Sequence, residues 1–250
     1  MFPVLQIGPL AIQTPGLILI VGVWLGLSLS ERHAPSYGLK ADSLDNLVLS
    51  GLVAGILGAR LGYVIQYPSI FFETPLSILS LNPGLLDPWT GLGIAAIGVF
   101  IYGQRKQLPV WRTLDALTPG IAVAAIALGF SHLASGAAFG MPTNVPWAIP
   151  MWGAKRHPSQ VYEILAASLI LFLFWPDKGP IFKRISKTSG VYFLSFMAFS
   201  ALSRLFLEAF RGDSRLVLAG IRQPQVIAWL VLAATLSVLG RRKRIQQEPT

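Results

Sequence analysis

Apolar runs of bilayer length recur along this chain, at about residues 10–30, 43–67, 88–103, 113–134, 158–175, 189–211 and 223–240. In hydrocarbon, every backbone N–H and C=O must find its partner inside the protein, so such runs fold as helices. The sequence predicts an all-α, polytopic integral membrane protein with about seven transmembrane helices in a single transmembrane domain, residues 1–250. The third run is short and begins beside Asp87-Pro88. A short interfacial or re-entrant segment is therefore expected before it, with Leu76 to Leu86 in the headgroup zone. Only 12% of residues are charged, against about a quarter in soluble domains, which excludes an ordinary soluble fold.

The loops between these runs differ in charge. Those at 31–42, 103–112, 176–188 and the C-terminal tail hold thirteen of the twenty basic residues, among them Lys183, Arg184 and Arg241 to Arg244. The positive-inside rule then puts the N-terminus outside and the C-terminus in the cytoplasm. The net charge of +9 suits anionic headgroups at the cytoplasmic face rather than nucleic acid. Cysteine is absent, so disulfides and thiolate metal sites are excluded. His33, His132 and His157 have no ligand spacing, so neither a metal nor another cofactor is expected.

Against the charge bias, the outer side carries Lys155-Arg156-His157-Pro158-Ser159-Gln160-Val161-Tyr162-Glu163 at the mouth of an apolar run. Pro158 fits the first turn of a helix, which would place the cluster on that helix's entry turns. Two readings stand. Basic and tyrosine side chains serve as interfacial anchors, whereas polar groups packed this densely at the edge of hydrocarbon are costly unless paired or used.

Two other spans carry unusual residues. Gly51, Gly55, Gly58 and Gly62 make one smooth helical stripe suited to close packing, with Arg60, Tyr63 and Tyr67 toward the other side. Arg204, Glu208 and Arg211 project from one face of the sixth span. One Glu cannot neutralise two Arg, so either an ion-pair network or a site for an anionic phosphate is indicated. Arg60 and Arg156 would add to the positive charge.

Three blocks occur in order: Gly58-Ala59-Arg60-Leu61-Gly62-Tyr63, Arg156-His157-Pro158-Ser159-Gln160-Val161-Tyr162-Glu163, and Arg204-Leu205-Phe206-Leu207-Glu208-Ala209-Phe210-Arg211. With Ile7-Gly8-Pro9-Leu10-Ala11-Ile12 and Gly16 in the first span, they resemble the phosphatidylglycerol–prolipoprotein diacylglyceryl transferase family over nearly the whole chain. The resemblance implies a multi-pass protein of the bacterial plasma (inner) membrane. It implies an enzyme moving diacylglycerol from phosphatidylglycerol to the lipobox cysteine of a lipoprotein precursor, with glycerol phosphate released. These two substrates are the expected partners. On this reading His132, His157 and Arg204 are candidate catalytic residues. Arg60, Tyr63, Gly140, Arg156, Gln160, Tyr162, Glu163, Glu208 and Arg211 are candidate lipid or phosphate contacts.

The chain also departs from the family pattern. Pro15 stands where the family has Tyr, and Trp89-Thr90-Gly91 where it has His-Gly-Gly. The fourth-span signature Gly-Arg-x-Gly-Asn-Phe-x-Asn-x-Glu-x-x-Gly falls on Leu128 to Gly140, with Gly129, His132, Ser135 and Ala137 at its Arg, Asn, Asn and Glu positions. Only the final glycine, Gly140, is retained. His132 is the one candidate replacement proton acceptor. A lapsed relative that binds anionic lipid or lipoprotein is the alternative. A transporter is a third class, against which no inverted repeat of the Arg204–Glu208–Arg211 pattern is found.

Overall fold

The computed structural model describes residues 4–7, 10–79, 83–185, 188–218 and 220–245. Gly8 and Pro9 of the opening motif, residues 80–82 and Lys187 lie outside the described residues.

The chain is mostly helical: α1 (Thr14–His33), α2 (Ala41–Gln66), α3 (Pro68–Glu73), α4 (Pro88–Arg105), α5 (Val110–Ser135), α6 (Ser159–Leu173), α7 (Val191–Leu207) and α8 (Gln223–Ile245). Among the described residues, five helical stretches are long and apolar enough to cross a membrane: Thr14–Tyr37, Ala41–Gln66, Val110–Ser135, Val191–Phe210 and Gln223–Arg242. The expected third and fifth spans are helices too, but shorter or more polar. α4 has 18 residues ending in Gln104 and Arg105, and α6 has 15. At about 1.5 Å per residue, α6 reaches only about 22 Å.

The all-α expectation omits three two-stranded antiparallel hairpins among the described residues: β1 (Val4–Ile7) with β2 (Leu10–Gln13), β3 (Ile149–Met151) with β4 (Ala154–Arg156), and β5 (Leu216–Leu218) with β6 (Ile221–Arg222). Each is too short to show alternation in sequence. In the segment expected in the headgroup zone, the chain makes short 3₁₀ turns at Pro75–Leu79 and Pro83–Leu85.

The chain forms two compact units, one from residues 1–33 and 114–250 and the other from 34–113. In the smaller unit, the glycine stripe of α2 receives α4. A Cβ on Gly51, Gly58 or Gly62 would come within 2.6 Å, 2.4 Å and 2.5 Å of Val99, Ile94 and Thr90 respectively. Asp87 caps α4 by accepting from the Thr90 backbone N–H at 2.8 Å, with Pro88 in the first turn.

In the larger unit, α1 and α5 meet through glycine. A Cβ on Gly26 would lie 2.6 Å from the Gly120 carbonyl oxygen, and the Gly120 N–H donates to Ser30 Oγ at 3.1 Å. Asp115 of α5 accepts from the backbone N–H groups of Gly190 (2.5 Å) and Phe193 (2.8 Å). It thereby satisfies the open donors at the start of α7. These contacts fix α5 against α7, and Phe174 at the end of α6 joins them by packing on Tyr192, Phe196 and Phe199. The opposite ends of α5 and α7 then converge on the start of α6.

Candidate functional site

The start of α6 is tied down by its own polar residues. Pro158 is the N-cap rather than a first-turn residue, so Arg156 and His157 belong to β4 and the loop after it, not to the helix. Ser159 Oγ donates to the Ala138 carbonyl at 2.5 Å, and Gln160 Nε2 donates to the Ala137 carbonyl at 2.8 Å. Both side chains are buried. They hold the loop after α5 against α6 by its carbonyl groups, which have no helix to satisfy them.

One turn further on, Glu163 gathers three partners. Its Oε1 accepts from Arg204 Nη1 at 2.7 Å and from Arg211 Nη1 at 3.1 Å, and its Oε2 lies 3.0 Å from His132 Nδ1. An ionised carboxylate only accepts, so Nδ1 carries the imidazole proton and a neutral ring keeps its lone pair on Nε2. Arg204 Nε also stands 3.1 Å from Oε2 of the fully buried Glu208, an ion pair without hydrogen-bond alignment. Ser214 Oγ donates to the other Glu208 oxygen.

Arg211 holds Asp213 in a fork, Nε to Oδ1 at 3.0 Å and Nη2 to Oδ2 at 2.9 Å. Burial raises the Asp213 carboxyl pKa, but the Arg211 hydrogen bond and charge outweigh it and leave the group below the ordinary carboxylate value. The expected surplus of positive charge is corrected here. Glu163, Glu208 and Asp213 face Arg204 and Arg211, so the two guanidiniums of the sixth span are neutralised within the protein.

A second layer backs this cluster. The turn after α7 docks on the loop after α5, with Met141 N–H donating to the Phe210 carbonyl at 2.9 Å and Gly212 N–H to Phe139 at 2.8 Å. Gly140 sits where backbones touch, and a Cβ there would lie 2.2 Å from the His157 carbonyl oxygen. Arg156 donates to the carbonyls of Met151 (3.1 Å) and Gly140 (3.2 Å) and lies over the Phe139 ring. His157 Nδ1 is 3.3 Å from the Tyr162 hydroxyl, and both rings pack edge-on against Phe210. Trp147 Nε1 donates to that hydroxyl at 2.6 Å.

The expected residues His132, Glu163, Arg204, Glu208 and Arg211 thus form one constellation. Gly140, Arg156, His157, Gln160 and Tyr162 support it. Arg60 and Tyr63 lie in the other compact unit, where Tyr63 packs on Tyr67 and Phe71. Asp213 and Trp147 belong to the network and were not expected from the sequence. The nearest signal for Asp213 is its place two residues beyond Arg211, on the loop that turns back.

Arg204 opens onto two apolar clefts. One, of about 590 Å³, is walled by Ala125, Gly129, Ala167, Phe196 and Ser203, with Glu163 and Arg204 as its charged groups. The other, of about 520 Å³, lies between α7 and α8, where Arg204 is the one charged residue among Ala201, Ile227 and Val231. The Arg204 side chain stays 36% exposed beyond its pairing with Glu163 and Glu208, and a guanidinium beside apolar walls suits an amphiphile whose head accepts hydrogen bonds. Gly129 is pressed against α6, and a Cβ there would meet Ile164 Cγ1 at 2.6 Å.

The family model for prolipoprotein diacylglyceryl transferase matches residues 3–240. Proteins named phosphatidylglycerol–prolipoprotein diacylglyceryl transferase are similar over most of their length. That of Bordetella parapertussis is 30% identical over 248 residues, covering 94% of this chain and 92% of its own. That of Nitrosomonas europaea is 28% identical over 253 residues, covering 98% and 91%. That of Synechococcus elongatus is 28% identical over 246 residues, covering 94% and 84%. A match of this extent places the chain in a family: it belongs to the prolipoprotein diacylglyceryl transferases.

Proposed function

We propose that this protein transfers diacylglycerol from phosphatidylglycerol to the cysteine thiol of a lipoprotein precursor. The sulfur attacks a glycerol carbon, the bond from that carbon to the phosphate oxygen breaks, and glycerol phosphate leaves. The observation that carries the reading is Arg204, held by Glu163 and Glu208 at the edge of apolar clefts. Its fixed guanidinium meets the negative charge that grows on the departing phosphate. His132 takes the thiol proton on Nε2, oriented by Glu163 at Nδ1 as a carboxylate orients a histidine base. His157, bonded to Tyr162, is the second candidate for proton transfer.

Glu163, Glu208 and Arg211 set the position of Arg204, while Gly140, Arg156, Gln160 and Tyr162 hold the loop beneath it. Arg60 and Tyr63 carry the proposal of a headgroup contact in their own unit, on their sequence motif alone. The chain is taken as a single multi-pass domain of the bacterial inner membrane. α4 and α6 complete seven spans, and the loop charges support an outer N-terminus and a cytoplasmic C-terminus.

The departures from the family's fourth-span signature, with Gly129, Ser135 and Ala137 at its Arg, Asn and Glu positions, favour a second reading, a relative that binds anionic lipid without turning it over. Both readings are tested by phosphatidylglycerol binding in nanodiscs. Arg204→Ala weakens binding more than Arg215→Ala; equal effects would make Arg204 a structural residue and remove it from the site.

A further inference from the structure

Arg222 has no part in the motifs above, yet it binds the backbone that carries Arg211. Its Nη1 donates to the carbonyls of both Glu208 and Arg211, and its Nη2 lies 3.1 Å from Met141 Sδ. The two carbonyls flank the turn that ends α7, where a helix leaves its last acceptors open. Met141 belongs to the loop on which that turn docks. One guanidinium therefore laces three segments: the end of α7, the loop after α5, and β6, where Arg222 itself sits. Arg222 is fixed in turn, since its N–H donates to Gln225 Oε1 at 3.1 Å and Gln223 N–H donates to the Arg215 carbonyl at 2.9 Å.

Among the described residues, the Arg222 guanidinium is bonded to carbonyls and sulfur rather than to a carboxylate. That pattern fits a geometric clamp better than a charge partner. A planar fork reaches two carbonyls and a third group at once, which a lysine ammonium on a flexible stem does not.

We propose that Arg222 is a positioning residue of the site. It holds the Glu208–Arg211 turn so that Arg211 Nη1 reaches Glu163, and through Glu163 it sets Arg204 and His132. The proposal rests on the transferase reading for its activity arm only. Displacement of a catalytic group by about 1 Å costs on the order of 10²-fold in rate, so Arg222→Gln lowers kcat by tens of fold with little change in KM for the lipid. Arg222→Lys keeps the charge but not the fork, and it is expected to fall with Arg222→Gln.

The test is a double-mutant cycle of Arg222→Gln and Arg211→Gln in the purified full chain, read both by transfer to a lipobox peptide and by thermal melting. If Arg222 acts through Arg211, its loss changes turnover by less than about twofold once Arg211 is gone. The melting shifts are likewise expected to add to less than their sum. Independent, multiplicative losses would overturn the proposal, as would full activity in Arg222→Lys. Absence of transfer by the unmodified protein would count against the transferase reading alone, because the melting cycle still decides whether the two arginines are coupled.

Discussion

Glu163 on α6 and Arg204 on α7 are 41 positions apart in sequence and 2.7 Å apart in space, the shortest ion pair of the constellation. Among the described residues, Glu163 is the one group that touches His132, Arg204 and Arg211 together. Any chemistry that needs a base and a cation at fixed separation in this cluster therefore depends on one carboxylate.

Glu163→Gln keeps the shape and removes the charge. Breaking a buried ion pair costs roughly 3–5 kcal/mol, and the cost falls toward the lower end here because the Arg204 side chain is 36% exposed. A lower melting temperature in detergent and loss of transfer are expected together. A variant with unchanged stability and turnover would show that Arg204 and His132 are held by other contacts.

His132→Ala is expected to abolish transfer while lipid binding persists, because His132 meets the site through Glu163 whereas Arg204 lines the clefts. Single-turnover transfer and equilibrium binding, measured on the same preparation, separate the two effects. Turnover at the unmodified rate would take His132 out of the mechanism.

Asp213 gives the loop a pH dependence whose sign follows from its partner. Its folded pKa lies below the ordinary value of 3.8. The carboxylate's contribution is therefore complete above that value and disappears as pH falls through the lower folded one. Melting of the unmodified protein and of Asp213→Asn should differ at neutral pH and converge in acid. A gap that widened on acidification would mean that Arg211 does not stabilise the ionised form.

Reporter fusions at residues 110, 182 and 245 are expected to face the cytoplasm, and one near 145 the outside. Residues 145 and 182 flank α6, the shortest of the proposed spans at 15 residues. Finding these two positions on one side would mean that α6 does not cross.

The parts of the fold legible in the sequence are those written in local spacing. The α2 glycines read as a packing stripe and receive α4. Glu163, Arg204, Glu208 and Arg211 read as out of place in apolar runs and come together in one ion-pair cluster, the candidate site. What escaped reading depends on contacts distant in sequence. Asp115 caps a helix that begins 76 residues later, and Arg222 meets its carbonyls only because β5 and β6 fold back. The surplus positive charge inferred from Arg204, Glu208 and Arg211 failed for the same reason. Setting Arg60, Arg156, Arg204 and Arg211 against Glu163 and Glu208 omitted Asp213 on the loop beyond and included Arg60, which lies in the other compact unit.

The most direct test is transfer by the purified protein in phosphatidylglycerol vesicles to a lipobox peptide, following thioether formation and glycerol phosphate together. The account predicts equal amounts of the two products, with both lost in Arg204→Ala. Tight phosphatidylglycerol binding with neither product formed would contradict it and identify a lipid-binding protein on a transferase fold.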